Sequence, residues 1–171
     1  HVRIHDVFRN LNAVSYAATD ILRYNPNATQ SSEARFIRAF AQFSILDGWG
    51  QVPYREPGED ILEMPRVRQA EEQIEYLISE LNEILPTLPA RNPQVANQNA
   101  ARMLLMKVYL NKGAFLNREA PAFDNADMQK VVELADQIIG EYTLASNYFD
   151  NFALNNHTSP EAIFVGANTG G

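Results

Sequence analysis

Five segments of this chain place apolar residues three and four positions apart, and no segment sustains strict alternation. The first spacing gathers side chains on one face of an α-helix, whereas a half-buried strand needs a period of two. The pattern predicts an all-α protein with long loops and at most a minor strand. In residues 4–22 the series is Ile4, Val7, Phe8, Leu11, Val14, Ala18, Ile21 and Leu22. In 69–85 it is Ala70, Ile74, Leu77, Ile78, Leu81, Ile84 and Leu85, ended by Pro86. In 97–111, Ala100, Ala101, Leu104, Leu105 and Val108 face inward, and Gly113 suits the stop. The fifth segment starts at Asp124 or Asn125 and runs to Ile139. Its stripe is Met128, Val131, Val132, Ala135, Ile138 and Ile139, closed by Gly140.

The remaining helix carries apolar residues over the widest arc. Phe36, Phe40 and Phe43 share one stripe, and Ile37, Ala41 and Ile45 fall on the next. Arg35, Arg38 and Gln42 take the remaining face. Such a helix needs cover on two sides, so the spacing predicts a central helix with neighbours on both flanks. Asn25-Pro26-Asn27 marks a turn before it. Ser31 or Ser32 is placed to cap it, with Glu33 in its first turn. Gly48 and Gly50 stop it, and Pro53 prevents resumption.

Chain order pairs the first helix with the second and the third with the fourth, and leaves the fifth without a partner. Antiparallel pairs of this size resemble tetratricopeptide-type units, although the full repeat consensus is not present. Residues 48–68 form a loop with Pro53, Pro57-Gly58 and Pro65, long enough to pack on the surface or serve a function. Tyr148, Phe149 and Phe152 read as pins that hold a late loop to the helices. Ala162-Ile163-Phe164-Val165 is a candidate strand.

The run from Glu33 to Tyr54, EARFIRAFAQFSILDGWGQVPY, resembles the signature of the SusD/RagB family. The matching positions are Glu33, Ala34, Arg35, Phe36, Arg38 and Ala39, then Trp49, Gly50 and Pro53. Trp49 stands where the family usually has Phe. The likeness continues through residues 74–88, 99–113, 134–144 and 161–164, which is nearly the whole chain. It implies a scaffold of antiparallel, tetratricopeptide-like helix pairs in a nutrient-binding lipoprotein of the outer membrane. Such a protein captures glycans or other nutrients at the cell surface without catalysis. It hands them to a TonB-dependent, SusC-like transporter. Family members are much longer, so residues 1–171 are expected to form one helical-scaffold segment of a larger SusD-like domain. The family's lipid-bearing cysteine and its C-terminal part are expected outside this chain. The rival reading is a tetratricopeptide-like adaptor that binds a protein or peptide in its helical groove.

Composition narrows the classes. A net charge of −7 opposes binding to nucleic acid or adsorption to anionic lipid. No cysteine is present, so disulfides, thiolate metal sites and thiol nucleophiles are excluded. No apolar run approaches the ~20 residues that cross a bilayer. Phosphate-binding loops, nucleophile elbows and zinc-protease motifs are missing too, and no cofactor is expected.

Each residue with chemical potential has a plainer reading. His1 and His5 stand four apart beside Asp6, as two imidazoles on one helical face could for zinc, but no third ligand accompanies them. They read as surface histidines, and so does His157. Glu56, Glu59, Asp60 and Glu63 lack the spacing of a calcium loop and read as solvated acids. Glu71, Glu72, Glu75, Glu80 and Glu83 read as the wet face of the third helix rather than a glycosidase pair. Trp49 could stack on a sugar, but its place in the family's aromatic-glycine turn favours packing, and Tyr54 is similar. Arg35 and Arg38 need partners if buried, with Glu33 or an acid of another helix as candidates. No catalytic or metal residue is assigned, and the ligand contacts are unknown.

Overall fold

The computed structural model describes residues 2–166. Five α-helices carry the chain: α1 (Val2–Ile21), α2 (Ala28–Trp49), α3 (Ala70–Ile84), α4 (Gln98–Leu116) and α5 (Asn125–Asp136). They stack in chain order as antiparallel, tetratricopeptide-like pairs. α2 is central, with α1 on one flank and α3 on the other. The core runs along this stack through Phe36, Ile45, Leu46, Leu77, Leu81, Ile84 and Leu105, all essentially inaccessible. Each such side chain contributes about 1.5–3 kcal/mol by leaving water. Among the described residues no helix is long and apolar enough to cross a membrane.

The ends of α2 differ from expectation. The helix begins at Ala28, with Asn27 as its cap: the Asn27 side chain accepts from the Gln30 N–H, and the Gln30 side chain accepts from the Asn27 N–H. This reciprocal pair satisfies two free donors and leaves Ser32 inside the helix, where its hydroxyl donates to the Ala28 carbonyl. Gly48 continues the helix. Gly50 ends it in the left-handed region, at φ 74°, with its N–H on the Leu46 carbonyl.

The predicted 48–68 loop contains a two-stranded antiparallel hairpin, β1 (Gln51–Tyr54) and β2 (Arg66–Gln69), with Gln51 opposite Gln69 and Tyr54 opposite Arg66. This is the one sheet among the described residues. The candidate strand at 162–165 is not one. It is an irregular segment tied to the start of α4: the Val165 N–H donates to the Pro93 carbonyl, and Asn97 donates to the Ile163 carbonyl. Phe164 then packs edge-on to Phe36, ring centres 5.3 Å apart.

Gly113 does not end α4, which continues to Leu116. A side chain there would collide with the Ala122 backbone, so the glycine lets the following loop cross the helix. Nor is the fifth helix unpartnered. α5 packs on α4, and Lys112 pairs with Asp127 at 3.0 Å. Its inward stripe includes the buried Leu134, with Met128, Val131 and Ala135 half-buried, and Ile138 just past its end is buried too. Val132 and Ile139 face outward. α5 stops at Asp136, and the tight turn Ile139–Glu141 swings Ile139 away from the core.

Candidate functional site

The densest group of charges lies between α2 and α3. Arg35 and Arg38 reach across from α2 to Glu80, Glu83 and Tyr76 of α3. Glu80 accepts from Arg35 at 2.6 Å on one oxygen. Its other oxygen accepts from Arg38 at 2.7 Å and from the Tyr76 hydroxyl at 3.1 Å. Arg35 also meets Glu83 at 2.8 Å. Burial pushes the Glu80 carboxyl up, but hydrogen bonds and charge from Arg35 and Arg38 outweigh it and hold it below the usual glutamate value. Burial raises the Tyr76 phenol. With both carboxylate oxygens engaged by arginines, Glu80 is poorly placed to exchange a proton with a substrate. The arrangement ties two helices together. It answers the search for partners of Arg35 and Arg38 with acids of another helix, not Glu33. It also corrects the wet-face reading at Glu80, which is buried, while Glu71, Glu72, Glu75 and Glu83 face water.

A second polar line crosses the same core. The Gln42 amide donates to the Ser15 hydroxyl of α1 and accepts from the Gln73 amide of α3, both at 3.1 Å. All three residues are buried. Gln42 stands four residues after Arg38, which places both on one face of α2.

At the end of α2, Trp49 packs on Phe8 of α1, ring centres 4.9 Å apart. Tyr54 serves as a floor for Arg66 and Arg68, and Arg68 lies between Tyr54 and Tyr76 at 3.6 and 4.0 Å. The loop acids stay at the surface, with Glu59, Asp60 and Glu63 exposed, but Glu56, Glu59 and Asp60 have partners. Glu56 pairs with Arg68 at 3.3 Å, Glu59 pairs with Arg66, and the Asp60 carboxylate accepts from the Leu62 N–H. Among the described residues no cluster of three or more potential ligands could hold a metal. His5 lies 3.9 Å from Asp6, while His1 is outside the described residues.

A cleft of about 840 Å³ is lined by Tyr148, Asn151, Phe152, His157, Ser159 and Glu161 among others. Glu161 accepts from the Ala145 N–H and the Asn151 amide, which hold its carboxyl below the usual range. Tyr148, Phe149 and Phe152 stack on one another and remain exposed. They do not pin the loop to the helices. Phe164 and Ile163 do that instead, where the chain returns to α4 and the core.

No family model matches the chain. The starch-binding protein SusD of Bacteroides thetaiotaomicron is 30% identical over 138 residues, covering 78% of this chain and 23% of that protein. The chain belongs to the SusD-like family. The fold agrees. A SusD superfamily protein from Bacteroides vulgatus superposes with a TM-score of 0.70, at 16% identity, over 94% of this chain and 34% of that one. A surface glycan-binding protein A from Bacteroides thetaiotaomicron, solved with laminarihexaose, gives a TM-score of 0.68 at 20% identity, over 90% and 34%. The chain thus spans about a quarter of the length of the curated SusD it matches.

In this SusD-like chain the signature run is structural at nearly every position. Ala34 and Ala39 are buried small residues that let helices approach closely, and Phe36 fills the core. Arg35 and Arg38 bind the Glu80 carboxylate. Trp49 covers Phe8, Gly50 supplies the left-handed stop, and Pro53 sits in β1 opposite Val67.

Proposed function

We propose that this chain is the helical-scaffold segment of a larger SusD-like domain. The whole protein, on this reading, is an outer-membrane lipoprotein that captures an oligosaccharide or other nutrient at the cell surface. It passes the ligand unaltered to a TonB-dependent, SusC-like transporter. The observation that carries the reading is the 30% identity to a protein named for starch binding. The SusD-like neighbour solved with laminarihexaose adds support for a glycan ligand. The chemistry of this segment fits a non-catalytic role. Its most buried carboxylate, Glu80, is held between two arginines, which suits a structural tie and leaves no proton to exchange. Ligand contacts on this reading come mainly from loops of the whole protein that the helix pairs hold in place.

Calorimetric titration of the whole protein with malto- and laminari-oligosaccharides, and with peptides as the competing class, tests the reading. Saturable heat with an oligosaccharide is expected. Tight binding of a peptide and none of any glycan would replace it with the adaptor.

A further inference from the structure

Two buried polar atoms of the α2–α3 interface have no partner among the described residues: Arg38 Nε and Gln73 Oε1. One is a donor and the other an acceptor. Each side chain is otherwise engaged. A terminal nitrogen of Arg38 sits on Glu80 at 2.7 Å, and the Gln73 amide nitrogen donates to Gln42 at 3.1 Å. A bare group of either kind forfeits the hydrogen bond that solvent gives it in the unfolded chain, and a guanidinium N–H forfeits the most.

The two ties are neighbours. Gln42 follows Arg38 by four residues on α2, about one turn or roughly 6 Å of helix. On α3, Tyr76 stands between Gln73 and Glu80, and its ring centre lies 5.7 Å from the Arg38 guanidinium. Two hydrogen bonds through one water span about 5.5–6 Å, the same step. The bonds also run in one direction. Gln73 donates to Gln42, and Gln42 donates to Ser15. The Gln73 oxygen is then the end of the ladder that needs a donor, and the Arg38 Nε–H is a donor that needs an acceptor. A species between them must accept from one and donate to the other. An anion has nothing to donate to the Gln73 oxygen, and a metal cation is repelled by the guanidinium. Water does both.

We propose that one ordered water binds between α2 and α3, accepting from the Arg38 Nε–H and donating to Gln73 Oε1. It joins the ion cluster of Arg35, Arg38, Glu80 and Glu83 to the Gln73–Gln42–Ser15 ladder, so that one network crosses α1, α2 and α3. Both atoms are essentially inaccessible, so nothing beyond the described residues reaches them while α2 and α3 stay packed. The site therefore stands apart from the ligand and partner proposed above. A network satisfied at every member also sets register. Sliding α3 by one turn would strand Arg38, Gln42 and Gln73 together.

The test is a crystal structure of the whole protein at a resolution that shows ordered water. A solvent peak about 2.7–3.2 Å from both Arg38 Nε and Gln73 Oε1 is expected. A direct Arg38–Gln73 hydrogen bond, a side chain from elsewhere in the protein on either atom, or two bare atoms with no peak between them would each overturn the proposal. The energetic link is read from denaturant unfolding of Arg38→Lys, Gln73→Met and the double variant. Arg38→Lys keeps a cation for Glu80 but has no Nε–H, and Gln73→Met keeps the length but has no oxygen. The effects of the two single changes on the unfolding constant should depart from a simple product by about threefold or more. Strictly multiplicative effects would also overturn the proposal. Where a variant does not fold, the wild-type map decides alone.

Discussion

The Arg38 guanidinium donates to the Glu80 carboxylate at 2.7 Å, and each side chain is only 8% exposed. The pair joins α2 to α3 in the middle of the scaffold. Removing Arg38 takes one of two guanidinium partners from the buried Glu80, which keeps Arg35 and Tyr76. Arg38→Ala should therefore destabilise the fold by about 1.5–3 kcal/mol. Denaturant unfolding of the variant gives the value directly. Unchanged stability with lost ligand binding by the whole protein would place Arg38 in a ligand site instead.

The same carboxylate sets a pH dependence. The folded value of Glu80 lies below its unfolded value of 4.5, because its arginine partners outweigh burial. The folded state thus holds the proton less readily than the unfolded chain. Its contribution is complete above pH 4.5 and declines as pH falls through the folded value. Melting temperatures followed downward from pH 6 should drop less steeply at acid pH in Glu80→Gln than in the wild type.

The amide ladder predicts a coupling. Gln42→Leu strands the Gln73 amide, and Gln73→Leu strands the Gln42 carbonyl, so each single change should cost about 1–3 kcal/mol. The double change removes both partners and should cost less than the sum of the singles. A double-mutant cycle with no coupling would show that the Gln42–Gln73 bond contributes nothing.

Two helical glycines should respond with opposite sign. Gly48 has open space around it, so Gly48→Ala should stabilise by about 0.5–1 kcal/mol through helix propensity. Gly113→Ala meets the Ala122 backbone and should destabilise by about 1–3 kcal/mol or more. Equal effects at the two sites would contradict the close crossing at Gly113.

The helices were legible because apolar periodicity reports which face is buried, and long segments repeat the signal several times. The partners of Arg35 and Arg38 were legible as a need, since a guanidinium on a covered helix must find a carboxylate. Which acid answers was not, because Glu80 and Glu83 differ only in where α3 lies against α2. Gln42 was hidden for the same reason: an amphipathic pattern assigns polar residues to water. Gly113 looked like a stop because its neighbour, Ala122, is placed by the loop and not by the helix. The hairpin strands are four residues each, with a proline in one and two arginines in the other, too little for a period of two to register. Phe164 outdid Tyr148 and Phe152 as an anchor because Asn97, the cap of α4, draws the chain in at Ile163.

An exposed aromatic surface remains. Leu144, Tyr148, Phe149, Phe152 and Leu154 all face water within eleven residues. Residues 1–171 produced alone should bind a hydrophobic dye and self-associate at this surface. Tyr148→Ser with Phe152→Ser should reduce both signals. A monomer that binds no dye would mean that the surface needs no cover from the rest of a larger domain.

The most direct test of non-catalytic capture is to incubate the pure whole protein with defined oligosaccharides while following binding by calorimetry and products by mass spectrometry. Saturable binding with every glycan recovered intact is the predicted result. Shortened or otherwise altered glycans from the pure protein would contradict it.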